Sequence, residues 1–68
     1  MIVTFKKNYD VQIYEEDKYM SGIFTFVKGK SYKAEYKNIC GCKYLVIYDK
    51  DNIVKLMFNK FDEERYLV

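Results

Sequence analysis

Histidine, proline and tryptophan are absent from this 68-residue chain, which holds only two cysteines and three glycines. Without histidine the usual acid–base group at physiological pH is missing, and so is the commonest metal ligand. Most hydrolase and zinc-enzyme chemistries lose their central residue. Two cysteines, set as Cys40-Gly41-Cys42, are too few for the disulfide framework of a small secreted domain. No apolar run approaches the roughly 20 residues that a membrane-spanning helix needs. Met1-Ile2-Val3-Thr4-Phe5-Lys6-Lys7 places its charge after a short apolar stretch, unlike a signal peptide. The expectation is a cytoplasmic protein that makes no use of membranes.

What the chain does have is aromatic mass: eight tyrosines and five phenylalanines. Each such ring buries about 150–250 Å², which a short chain needs, since a domain of this size hides only about 60% of its unfolded surface. One domain spanning 1–68 is the expectation. So small a fold cannot hide every tyrosine, and exposed tyrosines either rest at the rim with their hydroxyls in water or serve as contact area.

Strand signals recur along the chain. Met1–Phe5 is rich in β-formers, Tyr9–Tyr14 is a looser extended piece, and Ile23–Val27 follows a charged tip at Glu15-Glu16-Asp17-Lys18. Ser31–Ile39 alternates strictly, with Tyr32, Ala34 and Tyr36 on one side and Lys33, Glu35 and Lys37 on the other, the period of a half-buried strand. Gly29, just before it, suits a residue at positive φ. Lys43–Tyr48 and Ile53–Phe58 are joined by the turn-tolerant Asp49-Lys50-Asp51-Asn52, which predicts a tight hairpin. Both strands are apolar on each side, so they belong in the middle of a sheet or under a second cover. At Asn59–Tyr66 the period changes, and Asn59 or Asp62 is placed to cap a helical turn with acids at its start.

Five or six short strands in this length predict an all-β fold, a small closed or partly open barrel ending in a short helical turn. Its core is expected to draw on Val3, Phe5, Phe24, Phe26, Tyr32, Ala34, Leu45, Ile47, Val54, Leu56, Phe58 and Phe61.

The order Phe26-x-x-Gly29-Lys30-x-Tyr32-x-Ala34, then Tyr44-Leu45-Val46-Ile47-Tyr48-Asp49, then Phe58 and Phe61, resembles small SH3-like β-barrel proteins of phages and prophages of low-GC bacteria. The likeness covers about Phe24 to Tyr66. Two features depart from the group's pattern: the hairpin lacks a closing glycine, and Cys40-Gly41-Cys42 is extra. The resemblance implies an SH3-like barrel and a phage or mobile-element setting, with no catalytic residues to carry over.

Formal charge is only +2, but it is unevenly spread. Lys28, Lys30, Lys33, Lys37 and Lys43 face Glu35 alone over that stretch. With Tyr36, Tyr44 and Tyr48 interleaved, these residues are the candidate partner-binding set. They suit single-stranded nucleic acid, which small barrels bind by charge and stacking; outward lysines also serve solubility, and nucleic-acid domains are usually more basic. The acids Glu15-Glu16-Asp17 and Asp62-Glu63-Glu64 read as solvated tips or helix-start acids, or as phosphate mimics. Carboxylates that do acid–base work need a buried member, and neither cluster offers one, so no catalytic residue, cofactor or metal is expected. Cys40 and Cys42 read as small residues flanking a turn glycine, or as half of a zinc site completed by a second chain, or as a strained small-ring disulfide or a reactive pair. The reading is a non-enzymatic interaction protein that binds and inhibits or redirects a host protein or nucleoprotein machine. The alternative is a single-stranded nucleic-acid module, and a thin core leaves room for a homodimer.

Overall fold

The computed structural model describes residues 1–13 and 22–68. The charged tip Glu15–Lys18 and Tyr14 lie outside them. Six strands and a helix follow in order: β1 (Ile2–Thr4), β2 (Tyr9–Ile13), β3 (Gly22–Phe26), β4 (Ser31–Ile39), β5 (Cys42–Tyr48), β6 (Lys55–Phe58) and α1 (Lys60–Tyr66). The all-β expectation holds, with its one short C-terminal helix.

These strands make two sheets, not one closed ladder. β1-β4-β5-β6 form a four-stranded antiparallel sheet, while β2 and β3 pair only with each other. The barrel closure expected from the sequence is therefore not seen among the described residues. Both edges of β4 are taken, by β1 and by β5, and Phe5 continues the β1 pairing into the turn. Its N–H bonds to the Lys30 carbonyl at 3.2 Å and its carbonyl takes the Gly29 N–H at 2.8 Å. The chain between β3 and β4 is thus claimed by the end of β1, and β3 gains no ladder with β4.

The turn itself is tight. Lys30 N–H reaches the Val27 carbonyl at 3.0 Å, and Gly29 has φ +84°, the sign a type II turn needs at its third residue. The β4–β5 connection is tighter still: Ile39 pairs with Cys42, and Cys40 and Gly41 both have positive φ, 52° and 81°. Positive φ at both central positions is the mark of a type I′ hairpin. The predicted β5–β6 hairpin forms with a longer connection, residues 49–54, because the ladder begins at Tyr48↔Lys55. Asn52, at φ 58°, takes the left-handed position that glycine would otherwise fill. Asp49 organises that loop: its Oδ1 accepts the N–H groups of Ile53 at 2.7 Å and Val54 at 3.1 Å.

The core lies between the sheets. Phe5 is fully buried and touches Phe26, Tyr32 and Phe58 with ring centroids 5.2, 5.5 and 5.9 Å away. Val3, Ala34, Leu45, Ile47, Val54 and Leu56 surround it, with Phe24 and Tyr32 half-buried against it. Phe61 is the expected core residue that is not there: it is 80% exposed. The helix starts at Lys60, so Phe61 shares no helical face with Phe58. Asp62, Glu63 and Tyr66 turn inward instead, as a spacing of three and four dictates, and Phe61 falls on the opposite side. Tyr66 fills its place, 4.8 Å from Tyr9 and 5.6 Å from Phe58. Leu67 then buries itself opposite Phe5.

Candidate interaction surface

The register of the larger sheet decides which candidate residues meet. Glu35 stands beside Val46 and Val46 beside Met57; Lys37 stands beside Tyr44, and Tyr48 beside Lys55. Ile2 and Lys33 form the next pair on the same side. The face turned away from the core therefore carries Ile2, Lys33, Glu35, Lys37, Tyr44, Val46, Tyr48, Lys55 and Met57. A solvated sheet face is usually polar, and this one mixes its charged residues with Ile2, Tyr44, Val46, Tyr48 and Met57. Ile2 is 67% and Met57 56% exposed, yet Val46 at their centre is 4% exposed. Its neighbours shelter it.

Polar contacts fix the side chains around it. Glu35 Oε1 accepts from the Tyr48 hydroxyl at 3.2 Å and pairs with Lys37 Nζ at 3.2 Å. Hydrogen bonding from Lys37, with a smaller contribution from Tyr48, holds the Glu35 carboxyl below its usual range. The same bond raises Lys37 above the ordinary lysine value. Lys55 Nζ lies 5.9 Å from the centroid of the Tyr48 ring, within cation–π reach.

Of the sequence-derived set, Lys33, Lys37, Tyr44 and Tyr48 come together on this face. Tyr36 and Lys43 do not. Tyr36 points to the core side, where its hydroxyl donates to Glu63 and Lys43 Nζ sits 4.3 Å over its ring. Lys28 and Lys30 lie exposed on the β3–β4 turn, and the Lys28 N–H is taken by Asn8 Oδ1 at 2.8 Å. The basic stretch is thus split over two faces and a turn. Ile2, Lys55 and Met57 complete the outer face without having been singled out. The hairpin joining β5 and β6 carried the signal, because once Tyr48 faces outward, cross-strand pairing brings the outward residues of β6 beside it.

Asp62 and Glu63 have structural uses. Asn59 and Asp62 form a reciprocal capping box at 2.9 and 3.2 Å, which accounts for them as helix-start acids. Cys40 and Cys42 are free and exposed at the hairpin tip. Among the described residues, no three His, Cys, Asp or Glu side chains gather to hold a metal ion, and no helix is long and apolar enough to cross a membrane. No protein-family model, curated protein or solved structure matches the chain.

Proposed function

We infer that this chain is a small non-enzymatic interaction protein of the SH3-like, phage or mobile-element type suggested by its sequence. In this reading it works in the host cytoplasm, binding a host protein or nucleoprotein machine and inhibiting or redirecting it. The carrying observation is the outer sheet face: exposed Ile2 and Met57 beside half-buried Tyr44 and Tyr48, ringed by Lys33, Lys37 and Lys55. Tyrosine and methionine anchors within a charged rim are the composition of a binding patch. Lysines outnumber Glu35 there, which favours an acidic patch on the target.

The test is affinity capture from host lysate with the wild-type chain, Met57→Glu, Lys33→Glu and Phe61→Ser. A stoichiometric partner that survives Phe61→Ser and is lost with both outer-face variants supports the reading. Recovery of no such partner, or one indifferent to Met57 and Lys33, overturns it.

One observation favours a second reading. Lys33, Lys37 and Lys55 stand around the two outward tyrosines, the combination of charge and stacking surface that single-stranded nucleic acid requires. An electrophoretic shift that weakens steeply with salt and vanishes on reversing these three lysines supports it. No shift at low salt removes it.

A further inference from the structure

We propose that the cleft at the β4–β5 end of the molecule is a binding site for a phosphorylated nucleoside, free or at the end of a strand. It lies where β4 begins and β5 ends, between the β3–β4 turn and the 49–54 loop, as a half-open hollow of about 560 Å³. That is within the ~300–1,000 Å³ typical of small-ligand sites. Phe24, Tyr32 and Tyr48 are its aromatic lining, and Lys30, Lys33 and Lys50 bring three ammonium groups to it. None of the three is ion-paired among the described residues; the one salt bridge there joins Lys37 to Glu35. Asp49 is the only acid among the described residues of the lining. It is 8% exposed, and its Oδ1 is already engaged by two backbone N–H groups. Positive charge therefore exceeds negative by two.

The walls are held before any ligand arrives. The Tyr32 hydroxyl accepts the Val27 N–H at 2.8 Å, and its ring packs edge-on against Phe5 and Phe26. Phe24 packs on Phe26 with centroids 5.0 Å apart. The Tyr48 hydroxyl is tied to Glu35. Fixed rings beside exposed ammonium groups suit a ligand with a flat base and an anionic tail, the base stacking and the lysines meeting the phosphate. A larger hollow of about 660 Å³ beside α1 has no comparable fit, since Asp62 and Glu64 there oppose Lys6, Lys7 and Arg65, and Phe61 is its one ring.

The experiment is an amide-resolved NMR titration of the full chain with a purine nucleoside 5′-monophosphate, the nucleoside alone, inorganic phosphate and a 5′-phosphorylated oligothymidine. The monophosphate shifts signals confined to residues 24–33 and 48–52. Nucleoside and phosphate each bind about tenfold more weakly or less, one decade for each ~1.4 kcal/mol of lost contact. Lys30→Ala, Lys33→Ala and Lys50→Ala each weaken the monophosphate about two- to fivefold, the scale of an exposed ion pair. All three are exposed, so folding is spared. If the oligonucleotide shifts the same residues, the source is a strand end; if it leaves them unmoved while the monophosphate binds, the source is a free nucleotide. The proposal is overturned by inorganic phosphate binding as tightly as the nucleotide, by shifts lying elsewhere, or by no shift at millimolar ligand. Met57 is not in the cleft lining, so Met57→Glu keeps nucleotide binding while it abolishes partner capture, which separates this proposal from the reading of the outer face.

Discussion

The Tyr36 hydroxyl donates to Glu63 Oε1 at 2.7 Å and so ties the middle of β4 to helix α1. The bond holds the phenol in its neutral form: the Tyr36 pKa is raised above 10, first by the hydrogen bond to Glu63, then by burial and by the Glu63 charge. A group whose folded pKa is raised stabilises the fold fully below its unfolded value and ceases to do so as pH climbs through the folded one. The latch is therefore whole at neutral pH and lost in the alkaline range above 10.

Phenolate absorbance followed against pH checks this. Tyr36 ionises above the ordinary phenol value, and Glu63→Gln returns it toward that value. Tyr36→Phe removes the late step altogether. A titration unchanged by Glu63→Gln would show the latch to be absent in solution.

Phe5 contributes more than any single surface contact. It is wholly buried, meets three other rings, and sits where its backbone also fixes the β3–β4 turn. Phe5→Ala leaves a cavity among rings and costs about 3–5 kcal/mol, a large fraction of the ~5–15 kcal/mol that holds most domains together. Thermal and urea unfolding should place the variant's midpoint far below wild type, while Ile2→Ala, three residues away and exposed, unfolds close to wild type.

The helix start separates what the sequence discloses from what it conceals. Asn59 and Asp62 were legible as cap residues because capping depends on residues three apart in one local segment. The alternation of Ser31–Ile39 and the positive φ at Gly29 were legible for the same reason. Phe61 was misread because its burial depends on where the helix begins and which side it docks, a tertiary matter that Tyr66 and Leu67 decide. Barrel closure was misread likewise: nothing in β1 announces that it will take the edge of β4 that β3 would need to pair. The outer face was half legible, its lysines and tyrosines on β4 and β5 visible by alternation, its Ile2 and Met57 hidden until strand order put them beside Lys33 and Val46.

A matched pair of substitutions measures that contrast. Asn59→Ala removes the side chain that accepts the Asp62 N–H at 2.9 Å and lowers stability by about 1 kcal/mol. Phe61→Ser, at a position 80% exposed, stays within about 0.5 kcal/mol of wild type. Denaturant midpoints read both. A Phe61 variant that lost as much as the Asn59 variant would mean the helix docks with its other side inward.

Cys40 offers a way to tell turn from thiol. At φ 52°, directly before Gly41 at φ 81°, it occupies the first central position of a turn that prefers asparagine followed by glycine. A non-glycine residue other than Asn or Asp pays a steric cost there of about 1–2 kcal/mol. Cys40→Asn should recover part of that cost and raise the unfolding midpoint; a gain of about 0.5 kcal/mol corresponds to about 2–4 °C in a chain of this length. Cys40→Val should lower it, because a β-branched residue tolerates positive φ worse than cysteine does. If the cysteines act only as turn residues, Cys40→Asn with Cys42→Ser keeps partner capture and oligomeric state unchanged while melting higher. A variant that melts higher but loses its partner, or shifts from dimer to monomer, would assign the two thiols a working role at the hairpin tip.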